Sequence, residues 1–189
     1  MISTIVLIIS LLLIFLITVV IVRSIIKKQQ IIGSPPISVF FFILAKILVL
    51  VNLIFLLLKG LKINVHRIFA PIEFIDIIAL AFLIIGAVIL FLSTIRLNND
   101  LVFGLSSSEN HKLQTRGVFS MSRHPFYLGF IFILFSSCLF NPNYLNILAF
   151  IGAWIIHHFI MIKEEQFLSL QYGEEYREYA KRVKRYFSF

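Results

Sequence analysis

Two clusters of polar residues interrupt an otherwise apolar chain, and their residue types define the chemistry open to it. The first is His111-Lys112-Leu113-Gln114-Thr115-Arg116-Gly117, running on to Arg123-His124-Pro125-Phe126-Tyr127. Proline suits the first position of a helix, where its missing N–H costs no hydrogen bond and its fixed φ fits. Pro125 therefore predicts a helix start, with His124 as its cap. The unpaired amides of the first turn, beside Arg123 and His124, make an anion site. A basic cap whose side chains snorkel to lipid headgroups carries equal weight on spacing alone.

The second cluster is His157, His158, Met161, Glu164 and Glu165. His157 and Glu164 are seven residues apart, as are His158 and Glu165, so each pair shares one helix face two turns apart. Glutamates near the negative end of a helix dipole work against its stability. They point to a nearby cation: Arg123, Lys163 or a ligand. A metal reading is weak, because adjacent histidines lie on different faces and no compact ligand set emerges. Cys138, the one cysteine, lies inside an apolar run, which excludes an internal disulfide and a cysteine-based metal site.

The elements that must position these clusters are membrane helices. Hydrophobic residues make up 60% of the 189, against roughly 45–50% in soluble domains. Five apolar runs are expected to span: Ile2–Val22, Ile37–Leu58, Ile77–Ile95, Phe126–Phe140 and Tyr144–Ile162. The first has no basic residues ahead of it and no small-residue cleavage pattern, so it is read as a retained helix rather than a signal peptide. Gly33-Ser34-Pro35-Pro36 and Pro71 punctuate the first half, and Asn141-Pro142-Asn143 makes a tight turn between the last two runs. Those two form an antiparallel hairpin. Phe126–Phe140 is short for a span, so its helix begins a residue or two earlier or the hairpin sits asymmetrically in the membrane.

The fold class expected is all-α: an integral membrane bundle of about five transmembrane helices with a C-terminal amphipathic interfacial helix. It forms one domain, 1–189, in which 1–95 supply three helices and 96–189 supply a loop, the hairpin and the C-terminal helix. In that last helix Tyr172, Tyr176, Tyr179, Val183 and Tyr186 recur at steps of four and three, with charged residues between them. Such a helix lies on the membrane surface or covers a site there. Lysine and arginine imbalance places the N-terminus outside and the C-terminus in the cytosol. The net charge of +8 lies between and after apolar runs, which favours contact with membrane lipids over nucleic acid. Lys46, in mid-span, is a functional candidate or a lysine facing a polar cavity.

Because the hairpin turn is tight, the start of its first helix and the end of its second lie side by side at one membrane face. Anion-binding and cation-binding groups converge there, which suits a zwitterion with an additional positive centre. Gly117-Val118-Phe119, Arg123-His124-Pro125-Phe126-Tyr127-Leu128-Gly129, Glu164-Glu165, Leu168, Tyr172-Gly173-Glu174-Glu175-Tyr176, Tyr179 and Arg182-Val183 together resemble the isoprenylcysteine carboxyl methyltransferase family and the related phospholipid methyltransferases. The resemblance covers roughly 104–186. It implies a membrane-embedded methyltransferase using S-adenosyl-L-methionine from the cytosol and a lipid-like or isoprenylated acceptor from the bilayer, with carboxyl O-methylation as the leading reaction.

By that resemblance the cofactor is held by His111, Lys112, Leu113, Gln114, Phe119, His124, Pro125, Phe126, Tyr127 and Glu164, with Arg123 beside them. Phenylalanine stands at 119 where the family has tyrosine. Ile160 stands where eukaryotic members place an arginine thought to meet the substrate carboxylate, which weakens the case for a carboxylate acceptor and leaves His157 or His158 to take part of that role. A neutral amine acceptor would need a proton removed, for which His157, His158 and Glu165 are the nearest bases. Other readings are a phospholipid or amine methyltransferase, a nicotinamide-dependent membrane reductase, and a non-enzymatic transport or assembly protein.

Overall fold

A computed structural model describes residues 1–26, 35–70, 72–97 and 113–188. Its helices are α1 (Ile2–Ile26), α2 (Val39–Gly60), α3 (Glu73–Leu97), α4 (Pro125–Phe140) and α5 (Tyr144–Arg182), with a 3-10 turn at Gly117–Ser120 ahead of α4. No water is available inside a bilayer to satisfy backbone groups, so apolar runs of this length must fold as helices. Each of α1, α2, α3 and α5 is long and apolar enough to cross a membrane. The protein is an integral membrane helical bundle.

The five expected spans resolve into four long helices and one short one. α4 begins at Pro125, one residue ahead of Phe126, and has 16 residues, about 24 Å of rise against a hydrocarbon core of about 30 Å. Both ends are set by the sequence. Pro125 occupies the first helical turn, and Pro142 cannot continue the helix. The Asn143 side chain then caps α5 by accepting from the Asn146 amide at 2.9 Å. α5 runs well past Ile162 and kinks at Gly173, where φ is 54° and ψ is −121°. That conformation is open to glycine and strained for other residues.

Packing follows membrane rules, in which close backbone approach and buried hydrogen bonds replace the hydrophobic drive. Val6, Leu13, Leu56, Leu83, Leu90, Ile133 and Phe140 join α1 to α4 in one core. α3 crosses α4 at two glycines: a Cβ on Gly86 would stand 2.8 Å from the Gly129 carbonyl oxygen, and one on Gly129 2.9 Å from that of Gly86. A polar cluster pins α2, α4 and α5 together. Ser137 Oγ donates to the Asn52 carbonyl at 2.7 Å, and Asn146 Nδ2 donates to the carbonyls of Ser137 and Asn141 at 3.0 and 3.1 Å. Asn141 Nδ2 donates to the Phe55 carbonyl at 2.8 Å.

Beyond Gly173 the aromatic stripe turns onto the protein. Tyr176, Tyr179 and Val183 are buried together, with Leu113, Leu168 and Tyr172 packed against them. The tail after α5 then runs back beside residues 121–123. The Arg123 amide donates to the Lys184 carbonyl at 3.0 Å, the Ser188 amide to the Met121 carbonyl at 2.9 Å, and Ser122 Oγ to the Arg185 carbonyl at 2.8 Å.

Candidate active site

The start of α4 meets α5 at the two glutamates. Tyr127 Oη donates to Glu164 Oε1 at 2.5 Å. His124 Nδ1 stands 3.6 Å from Glu164 Oε2, and its Nε2 stands 3.2 Å from Glu165 Oε1. His124 occupies the expected cap position, but its side chain makes no capping hydrogen bond. Its amide donates to Ser122 Oγ at 3.1 Å, and its buried ring lies between the two carboxylates.

The seven-residue spacing on α5 separates two faces. On one, His157 packs against Tyr127, with ring centroids 5.5 Å apart, and stands near Lys46 of α2, which interacts electrostatically with both His157 and Glu164. His157 Nδ1 lies 2.7 Å from the Ala153 carbonyl. A carbonyl only accepts, so Nδ1 carries the proton and Nε2 of the neutral ring holds the lone pair. On the other face, His158 Nδ1 lies 2.7 Å from Tyr186 Oη, with the two rings stacked at 8°.

Glu165 shares the tail-side setting of His158, and its cations come from the protein. Arg123 Nη2 donates to Glu165 Oε1 at 2.9 Å, while Arg185 donates from Nε at 2.9 Å to Oε1 and from Nη2 at 2.8 Å to Oε2. These bonds to Glu165 hold the Arg185 guanidinium above its ordinary pKa. Arg123 Nη1 donates to the carbonyls of Ala180 and Val183, both at 3.0 Å. Its guanidinium thus closes the C-terminal end of α5, where cations are favoured. Lys163, the other cation expected near the glutamates, donates to Gln166 at 3.2 Å.

The remaining expected residues are placed unevenly. His111 and Lys112 lie outside the described residues. Leu113 packs against the Tyr176–Tyr179 cluster and Gln114 is half-buried. Phe119 is buried in the 3-10 turn, where its carbonyl accepts from Tyr179 Oη at 2.6 Å. Pro125 is buried, and Phe126 turns toward the bundle core beside Phe130. Ile160, fully buried, packs with Phe42 and Ala45 of α2, and Tyr127 lies against the same cluster. Tyr186 belongs to the stripe expected in the C-terminal segment and Arg185 to the charged residues between, but no local spacing ties either to His158 or Glu165.

The arrangement offers a carboxylate, Glu164, beside the Tyr127 phenol and the His124 imidazole, with His157 two turns away on the same helix face. Such a group suits a ligand cation, and the amides of the first turn of α4 suit a ligand anion. A cavity of about 300 Å³ at the opposite end of the bundle is lined by Phe69, Ile75, Phe135, Phe140 and Phe150 among others. Its acidic wall residue, Asp76, pairs with Lys59 at 2.6 Å, so its character is that of an apolar recess.

Comparison with known proteins bears on the same segment. The family model described as phospholipid methyltransferase matches residues 74–175, more than half of the chain. A probable protein-S-isoprenylcysteine O-methyltransferase of Oryza sativa subsp. indica is 33% identical over 113 residues, 58% of this chain and 59% of the relative. Methanethiol S-methyltransferase 1 of Bradyrhizobium diazoefficiens is 32% identical over 108 residues, 52% of this chain and 37% of the relative. Protein-S-isoprenylcysteine O-methyltransferase B of Arabidopsis thaliana is 36% identical over 76 residues, 40% and 39% of the two chains. The matches thus span about three fifths or less of these relatives. No solved structure matches the chain.

Proposed function

The chain belongs to the phospholipid methyltransferase family, and on that premise we propose that it is a membrane-embedded, S-adenosyl-L-methionine-dependent methyltransferase with a lipid-like acceptor. The observation that carries the reading is the meeting of Tyr127 and His124 with Glu164 at the membrane edge. The residues present fit the cofactor: a half-buried carboxylate beside aromatic rings is matched to a cationic amino group and sulfonium. Glu164 takes the cofactor's amino group. The first-turn amides of α4 and His124 take its carboxylate, with Gln114 and, by the family resemblance, His111 and Lys112 contributing. Leu113, Phe119, Pro125, Phe126 and Tyr127 supply apolar wall. Arg123 and Glu165 hold the frame, since their charged atoms are engaged with one another and with the tail.

When bound, the cofactor supplies a methyl group on a sulfonium, open to in-line displacement by an acceptor lone pair. The protein's own part is positioning and exclusion of water. For an acceptor that must lose a proton, His157 is the fitting base, because its Nε2 lone pair lies on the Glu164 face; His158 is held by Tyr186, and Glu165 by two arginines. The two plant relatives favour carboxyl O-methylation. The Bradyrhizobium relative favours a second reading, methylation of a thiol. In either case the site end of the bundle faces the cytosol, as the basic residues around it argue.

Calorimetric titration of the purified protein with S-adenosyl-L-methionine tests the site. Wild type should bind, and His124→Ala and Glu164→Ala should each lose binding while remaining membrane-inserted. Wild-type affinity in both variants would remove the assignment. Membranes supplied with methyl-labelled cofactor should then show label in lipid, protein or a volatile thioether, which separates the acceptor classes.

A further inference from the structure

Among the described charged residues of the spanning helices, Lys46 is one that the cofactor reading leaves unused. It lies seven residues into α2, about 10 Å along its axis, and so within the apolar layer rather than at the rim where Arg123 and Arg185 sit. A cation at that depth costs several kcal/mol unless it meets a polar partner or a ligand. Its surroundings are specific. The ammonium stands 4.9 Å from the centroid of the Phe42 ring. The neighbouring Phe42 and Ala45 pack on Ile160 of α5, and Tyr127 of α4 lies against them. On the α5 side of that cluster His157 and Glu164 stand one on either side of Ile160 along the helix, within range of the Lys46 charge.

Three helices thus bring a cation, a carboxylate, an imidazole and a phenol together on the bilayer side of the proposed cofactor site. Glu164 alone would repel an anionic acceptor, and Lys46 offsets that charge from the direction in which a lipid-like molecule arrives. Lys46 is half-buried, so part of its side chain stays open to the surroundings of the packed helices.

We propose that Lys46 is a specificity-determining residue that binds the acid group of an amphiphilic acceptor whose hydrocarbon chain stays in the bilayer. The proposal rests on the methyltransferase reading for the word acceptor, while the anion site itself is independent of turnover. A lysine in this place selects acids over their neutral esters, because a single point charge distinguishes them more strongly than shape does.

The test is equilibrium binding of dodecanoate and of methyl dodecanoate to the purified protein, without turnover, for wild type, Lys46→Met and Lys46→Arg, with S-adenosyl-L-methionine affinity and melting temperature measured alongside. Wild type should prefer dodecanoate at least tenfold. Lys46→Met should lose that preference and keep cofactor affinity and melting temperature, and Lys46→Arg should restore most of it. Retention of the preference in Lys46→Met overturns the proposal. So does an equal loss of both probes and of the cofactor, which would mark Lys46 as structural support for Glu164. A Lys46-dependent preference in a protein that fails to bind S-adenosyl-L-methionine would keep the anion site and remove the methyltransferase reading.

Discussion

Tyr127 Oη donates to Glu164 Oε1 across the α4–α5 interface, so a residue in the first turn of one helix orients the carboxylate that ends the apolar part of another. The bond is between a neutral donor and a charged acceptor, a class worth about 1.5–3 kcal/mol. Tyr127→Phe keeps the ring and removes the donor. Cofactor affinity should fall about tenfold, at roughly 1.4 kcal/mol per factor of ten, and Glu164→Gln should weaken it much further. Titration calorimetry of the two variants checks the order; a Tyr127→Phe protein weaker than Glu164→Gln would reverse it.

Glu165 is predicted to matter for folding more than for binding. Its carboxylate carries Arg123 and Arg185, with side chains only 14%, 14% and 27% exposed. Removing one member of a shielded pair leaves the other uncompensated, at a cost of about 3–5 kcal/mol when burial is deep. Glu165→Gln should lower the melting temperature markedly. Combined with Arg185→Gln it should cost less than the sum of the two, since both break one network.

The Gly86–Gly129 crossing allows a direct steric test. Gly129→Ala would place a methyl group against backbone atoms of α3, and overpacking of this kind costs about 1–3 kcal/mol. Gly152→Ala is the matched control, because its new methyl would meet only the end of the Leu48 side chain. Melting in detergent should show a clear loss for the first and a small one for the second. Because Gly129 lies one turn beyond Pro125, the first variant should also weaken cofactor binding.

At Gly173 the cost is conformational rather than steric. A Cβ there meets nothing within 4 Å, yet φ is +54°, and holding another residue in such a region costs about 1–3 kcal/mol. Gly173→Ala should loosen the docking of Tyr176 and Tyr179. Faster protease cleavage after Arg177 or Lys181, with the melting of the spanning helices little changed, is the expected outcome.

Much of this architecture could be read from local pattern. Apolar length gives the helices, Pro125 and Asn141-Pro142-Asn143 give the hairpin ends, and seven-residue spacing puts His157 with Glu164 and His158 with Glu165. What local pattern cannot carry is pairing between distant elements. The tie of Arg185 to Glu165 and the approach of Lys46 to Glu164 depend on how the tail and α2 pack, and neither leaves a period in the sequence. Gly86 and Gly129 are visible as small residues in apolar runs, but their meeting is set by the crossing of α3 and α4. The cap assigned to His124 proved to be positional, because two carboxylates across the interface outcompete the helix amides for its ring. His111 and Lys112 lie outside the described residues, so their part in the site stays an expectation from resemblance.

The short α4 has a consequence for the surrounding lipid. A helix about 6 Å short of the hydrocarbon thickness must be met by local thinning, by tilt, or by polar headgroups drawn inward, each costing a fraction of a kcal/mol per Å. The longer helices α3 and α5 pack against it, so the shortfall is local to α4, and a dip at its Pro125 end would open at the site. Water-borne ions and bilayer-dissolved chains would therefore share one depth at that notch, and acyl-chain length in the host membrane becomes a control on how readily the two meet.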